Sequence, residues 1–201
     1  MMSSGDVVEL YRAFCDTGIE IWVDGGWAVD ALLGRQTRPH KDLDIVVRRS
    51  DEPKLRELLG ARGYRDVPRD DTSAWNFVLG DASGREVDVH AIVFDADGNG
   101  LYGPIEKGVM YPAAALIGAG TIDRHRVKCI SAEYMVKFKT GYKPSASDFQ
   151  DIASLCEKFE MKRPAGLLGL SGRIMIRSRQ LRWRNPAPQT AQDPLRPRRR
   201  R

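Results

Sequence analysis

The sequence predicts an α+β domain, a mixed β-sheet flanked by helices, followed by a flexible basic tail. Three observations predict it. Helical-period stretches and short β-branched runs alternate over the first sixty residues, strands then cluster, and helices return at the end. A Ser83-Gly84 turn joins two later apolar runs in the manner of a hairpin. Near residue 160 the composition changes abruptly. Residues 161–201 hold 12 Lys+Arg, one acid and five prolines, which leaves a net charge of −6 on residues 1–160. The boundary therefore divides a folded domain, 1–160, from a Pro/Arg-rich tail, 161–201, that is at least partly disordered.

The elements follow in order. Asp6–Thr17 places Val7, Leu10, Tyr11 and Phe14 on one helical face, with Asp6 as N-cap, Glu9 completing a capping box and Gly18 as the stop. Ile21–Val23 is a short strand. Asp24-Gly25-Gly26 then leads into a helix from Trp27 to Leu33, closed by Gly34. Leu43–Val47 is a β-branched strand flanked by acids, and Asp51–Arg62 is a helix with Leu55, Leu58 and Leu59 as its stripe. Strands follow at Tyr64–Val67, Trp75–Leu79 and Glu86–Phe94. Asp95 to Gly100 resembles a calcium loop only in part, because its series of oxygen ligands breaks at Leu101 and Gly103, and it reads as a turn. Thr121–Ile130 holds two strands around Arg124-His125. Ser131 caps a helix over Ala132–Thr140, and Ser147 or Asp148 opens another through Phe159. Ile174–Leu181 retains some helical pattern.

Composition excludes several classes. The net charge of +5 and pI near 9.2 belong to the tail, so the folded part carries no basic footprint for nucleic acid. Cys15, Cys129 and Cys156 are odd in number and form no CxxC, which argues against a disulfide scaffold or a zinc site and fits a reducing, cytoplasmic setting. The start lacks a signal-peptide pattern, and no apolar run approaches the ~20 residues of a membrane span.

Three acids carry the chemistry. Asp42 and Asp44 are two apart in a strand and so share a face. Asp88 lies in a second strand, where His90 shares its face. A lone Asp-x-Asp is common at surfaces, but a third Asp in a separate apolar strand and a nearby Gly-Gly point to a site. Three converging carboxylates need a cation, and an oxygen-only set suits magnesium. Two such ions support an in-line phosphoryl displacement. Asp42 and Asp44 then hold metal on a triphosphate, while Asp88 completes the second site and takes the proton of the attacking hydroxyl. Gly25 and Gly26 allow a sharp turn whose N–H groups can meet phosphate oxygens. Arg38 can pair with the β- or γ-phosphate. His40 hydrogen-bonds within the loop and orients Asp42. Lys137 or Lys139 either reaches the triphosphate or belongs to a solvated helix face. Asp148 and Asp151, three apart on a helix, are structural partners for one of those lysines.

Together Gly25-Gly26, Asp42-Leu43-Asp44 and Asp88 resemble the DNA-polymerase-beta-type nucleotidyltransferase superfamily. The stretches Ile21–Asp30 and Gly34–Ile45, with Val87-Asp88-Val89-His90, Cys129-Ile130-Ser131, Gly141-Tyr142 and Asp148–Ile152, look like the small lincosamide nucleotidyltransferases. They are similar, less closely, to short aminoglycoside adenylyltransferases. The resemblance spans roughly Val7 to Leu155. It implies magnesium on Asp42, Asp44 and Asp88, with Asp88 as base and His90 orienting the acceptor. ATP or another NTP is implied as co-substrate, a small-molecule antibiotic as acceptor, and a homodimer as one arrangement the family allows. Asp30 matches an acid of the family pattern, and Trp27 is expected in the core. The Arg-rich tail has no counterpart in that pattern. Two other readings remain at this stage: the same chemistry on a macromolecular target, as in toxin–antitoxin pairs, with the tail as docking arm, and a nucleic-acid binder whose sole support is the tail.

Overall fold

The computed structural model describes residues 1–104 and 109–164. The tail read from 161–201 therefore lies, beyond Pro164, outside the described residues, and so does the helical stretch expected at Ile174–Leu181.

The chain runs α1 (Ser4–Asp16), β1 (Ile21–Val23), α2 (Gly25–Leu33), β2 (Asp42–Arg48), α3 (Glu52–Ala61), β3 (Arg65–Val67), β4 (Asn76–Gly80) and β5 (Glu86–Phe94). It continues through β6 (Gly100–Tyr102), β7 (Val109–Tyr111), β8 (Gly118–Ile122), β9 (His125–Cys129), α4 (Ala132–Thr140) and α5 (Ala146–Lys158). One mixed sheet has the order β3-β4-β5-β2-β1-β9-β8, with β6 on β5 and β7 on β6. β2 is parallel to β5 and antiparallel to β1, and β1 is parallel to β9. β4 and β5 form the hairpin expected at Ser83-Gly84.

The central strands are buried on both faces. Ile21 to Val23 and Ile45 to Val47 are all 5% exposed or less, so these strands read as continuous apolar runs rather than alternating ones. In α1, Val7, Leu10 and Phe14 face the core as their spacing requires. Leu55 and Leu59 of α3 are fully buried, each worth about 1.5–3 kcal/mol of transfer free energy. α2 packs against β2, β8, α4 and α5. Gly120 lets β8 lie flush on it, since a Cβ there would fall into the Ala31 carbonyl.

Ser131 stands at the N-cap of α4 as expected, and the other two N-cap expectations need correction in the same sense. The N-cap of α1 is Ser3, not Asp6. Asp6 is the third helical residue, returning a bond to the Ser3 backbone N–H at 2.9 Å. In α5 the cap is Ser145, and Asp148 plays the reciprocal part. In each case the acid that seemed to open the helix is the far half of a capping box. Asp95 to Gly100 is the β5–β6 turn. Asp95 accepts the backbone N–H groups of Asp97 and Asn99, at 2.9 and 2.8 Å, which uses its carboxylate internally.

Candidate active site

The register of two strands builds the site. Across the parallel β2–β5 pair, Asp42 stands opposite Glu86, Asp44 opposite Asp88, and Val46 opposite His90. Paired residues of parallel strands point to the same face, so Asp42, Asp44, Asp88 and His90 share one. β1 ends beside them, with the Asp24 N–H donating to the Asp44 carbonyl at 2.9 Å. A fourth acid, Asp24, thus enters at the strand-to-helix corner.

Gly25 explains the tight corner. It has φ +57°, and a Cβ built there would fall inside the Asp44 carboxylate. At Gly26 a Cβ would overlap the His40 ring and approach Arg38 Nη2 to 2.9 Å. Both glycines are therefore required by close packing as well as by backbone freedom. Asp24 caps α2 by accepting the Gly25 N–H at 2.7 Å. That donor is used, which leaves the first-turn N–H groups of Gly26 and Trp27 open for an anion.

The electrostatics separate the acids. Burial raises Asp44, and the charges of Asp42, Asp24 and Asp88 push it further, to about 7. Asp88 is also raised, by burial first, with His90 opposing and Asp42 adding. Its Oδ1 is buried without a hydrogen-bond partner, 3.9 Å from His90 Nε2. Among the described residues, neither Asp42 nor Asp44 has a side-chain donor or a basic partner. Burial would raise Asp24 as well, but His90, the Gly25 N–H and Tyr111 outweigh it and hold it low. Burial alone would lower the His90 imidazole, yet Asp24, Asp88 and Asp44 carry it above its usual value.

Oxygen donors without a Lys or Arg partner among the described residues, held at one rim by two strands, fit a hard divalent ion. No group of three or more His, Cys, Asp or Glu side chains among the described residues is arranged to cage an ion as it stands. Asp42, Asp44 and Asp88 are the residues that would hold one.

An aromatic wall adjoins the rim. The Tyr111 hydroxyl lies 2.8 Å from His90 Nδ1 and donates to Asp24 Oδ2 at 3.2 Å. Tyr102 stacks near His90 at 5.1 Å between ring centroids, and Phe138 meets Tyr111 edge-on at 5.3 Å. Sequence reading missed this wall and the part played by Asp24. β6 and β7 are only three residues each, and Tyr111 is 87 positions from Asp24. The one available signal was an Asp directly before Gly-Gly at a helix start.

The basic residues expected near a triphosphate are placed differently. Lys139 is buried between Asp148 Oδ1 at 2.8 Å and Asp151 Oδ2 at 3.0 Å, so its charge is already matched by the helix pair read as structural. Lys137 is exposed and pairs with Glu133 one turn away. Arg38 lies beside Gly26 but bonds Asp151 at 3.2 Å and His40 Nδ1 at 3.1 Å. His40 does not orient Asp42. Its Nε2 meets Asp30 at 2.5 Å, and its ring packs on Trp27 at 4.6 Å. Asp30 also accepts the Thr37 N–H and hydroxyl. Trp27 is in the core, 1% exposed.

Comparison with known proteins agrees with this geometry. A curated lincosamide resistance protein of Staphylococcus haemolyticus is 28% identical over 140 residues, 68% of this chain and 84% of that protein. A 2''-aminoglycoside nucleotidyltransferase of Escherichia coli is 42% identical over 62 residues, 29% of this chain and 35% of that protein. The crystal structure of the lincosamide antibiotic adenylyltransferase LnuA with lincomycin matches at TM-score 0.67 and 25% identity, covering 77% of this chain and 96% of that one. ANT(2'')-Ia in complex with adenylyl-2''-tobramycin shares the fold at TM-score 0.62 and 21% identity, over 78% of this chain and 88% of that one. No helix among the described residues is long and apolar enough to cross a membrane. Residues 6–155 match the model of the aminoglycoside-2''-adenylyltransferase family, and the chain belongs to that family of nucleotidyltransferases.

Proposed function

We propose that this enzyme transfers AMP from ATP to a hydroxyl of a small-molecule antibiotic, a lincosamide in preference to an aminoglycoside, by a magnesium-dependent in-line displacement. The observation that carries the reading is the in-register pairing of Asp44 with Asp88 beside Asp42, with no Lys or Arg among the described residues paired to them. The lincosamide resistance relative aligns over far more of the chain than the aminoglycoside one. The net charge of −6 on residues 1–160 suits an acceptor bearing an amine.

Each residue has a part. Asp42, Asp44 and Asp88 would bind magnesium, which supplies charge neutralisation on the triphosphate and on the leaving pyrophosphate. The Gly26 and Trp27 N–H groups point the helix dipole of α2 toward phosphate oxygens. Asp88, with its raised pKa and bare Oδ1, accepts the proton of the acceptor hydroxyl as that oxygen bonds the α-phosphorus and the bond to pyrophosphate breaks. His90, fixed by Tyr111 and Asp24, orients the acceptor, and Tyr102 with Tyr111 offers it an aromatic face. ATP is abundant in the cytoplasm, and we place the reaction there.

The test incubates the full chain with ATP, magnesium and a panel of lincosamides and aminoglycosides, and reads products by mass spectrometry. A lincosamide carrying one added AMP, formed with magnesium and lost with a chelator, is expected. Products from aminoglycosides alone would overturn the acceptor, and turnover that survives chelation would overturn the metal.

A further inference from the structure

Away from the carboxylate rim, a cleft of about 410 Å³ runs along α2. Trp27, Asp30, Arg35, Gln36, Asp123 and Arg124 line it, and none of Asp24, Asp42, Asp44, Asp88 or His90 does. Its volume lies within the range of small-molecule sites, about 300–1,000 Å³.

Three residues that line the cleft carry donors without acceptors. The Trp27 indole N–H is buried and unpartnered, and such an orphan costs about 1–3 kcal/mol. Arg35 and Arg124 are exposed, and neither guanidinium has a hydrogen bond or ion pair among the described residues. The acids beside them are already engaged, Asp123 by the Ser4 hydroxyl at 2.6 Å and Asp30 by Thr37 and His40. Arg124 is also presented at a cost. Asp123 and Arg124 form the β8–β9 turn with φ of +46° and +65°. The second position of such a turn favours glycine, and a non-glycine residue there costs about 1–3 kcal/mol.

We propose that this cleft is a second binding site, separate from the reaction centre, for a small phosphate-bearing anion held by Arg35, Arg124 and the Trp27 N–H. Two unpaired guanidiniums match a phosphate's charge and geometry, and the indole supplies a neutral donor to the same ligand.

The test follows the Trp27 indole N–H by proton–nitrogen NMR of the full chain in chelator, with the resonance assigned from Trp27→Phe. Inorganic pyrophosphate is titrated in one arm and AMP in another, to separate a free phosphate from an organic one. A saturable shift of that resonance in either arm is expected. Arg35→Ala with Arg124→Ala should leave its unliganded position unchanged and weaken binding at least about tenfold, the loss expected for charge-assisted hydrogen bonds. Asp44→Asn should bind as the parent does. A resonance that moves with neither probe, a shift that persists in the double arginine variant, or a shift abolished by Asp44→Asn would each overturn the proposal.

Discussion

Two groups of acids meet at α2, one satisfied and one not. In the first, a continuous chain of contacts runs from Thr37 through Asp30, His40, Arg38, Asp151, Lys139 and Asp148 to Ser145. Every carboxylate in it has a cationic or hydroxyl partner. In the second, Asp42, Asp44 and Asp88 share a strand face with no Lys, Arg or hydroxyl partner among the described residues, and the His90 imidazole stands 3.9 Å from Asp88. The same residue type thus does two jobs a few residues apart. Where the charges are matched, they tie α2, α4, α5 and the loop before β2 together. Where they are not, repulsion is retained at the expense of folding stability, as expected of a place reserved for an outside cation.

Substitutions should separate the two groups. The largest effect is expected from Asp88→Asn, which removes the proposed base and should lower turnover about 10²–10⁴-fold, while the urea midpoint stays level or rises because a repelling charge is gone. A falling midpoint with retained turnover would assign Asp88 to the structural group. Lys139→Ala should do the reverse. It strands Asp148 and Asp151 without a counter-charge, and breaking a buried pair costs about 3–5 kcal/mol, read as a fall in the urea midpoint.

Gly25→Ala should couple the two readouts. The new methyl group displaces the Asp44 carboxylate and occupies a left-handed backbone position, costing about 1–2 kcal/mol for the backbone alone. Turnover should fall further than that stability loss, because a carboxylate proposed to hold the metal has moved.

The pH dependence of stability without metal sharpens the comparison without any change in turnover. Asp44 is raised to about 7 in the folded state, against about 3.9 unfolded. The folded protein holds the extra proton between those values, so stability should decline as pH rises from about 4 to 7. Burial alone would raise Asp148, but Lys139 and Ser145 outweigh it and hold it at about 2. Stability should therefore also decline as pH falls from about 4 toward 2. Asp44→Asn should flatten the first slope only, and Asp148→Asn the second only, in thermal melts across pH.

The sequence made the unmatched group legible and the matched one only in part, since Asp148 and Asp151 read as structural partners of Lys137 or Lys139 without showing which. Asp42, Asp44 and Asp88 stood out because strand periodicity and apolar flanks place carboxylates where they ought not to be. Lys137 and Lys139 could not be told apart, since nothing in Lys137-Phe138-Lys139 marks the second lysine as the buried one. Its partners lie nine and twelve positions on, in another helix, and Arg38 finds Asp151 113 positions away. Helix extents were legible to within a few residues, as were Ser131 and Gly34 as caps, but the N-caps of α1 and α5 were not, because either end of a capping box resembles a helix start. β6 and β7 escaped because three residues are too few to show a period. Tyr102 and Tyr111 escaped with them.

The interlock of Gly25 with Asp44 bears on how such an enzyme diversifies. The Asp44 carboxylate fills the volume of the methyl group that Gly25 lacks, so the two positions are inherited together as long as Asp44 stays. Drift in substrate range is then channelled to the other side of the rim, to the tyrosines carried on short edge strands. A mutagenesis library seeking new acceptors should spend its diversity there and leave the corner untouched.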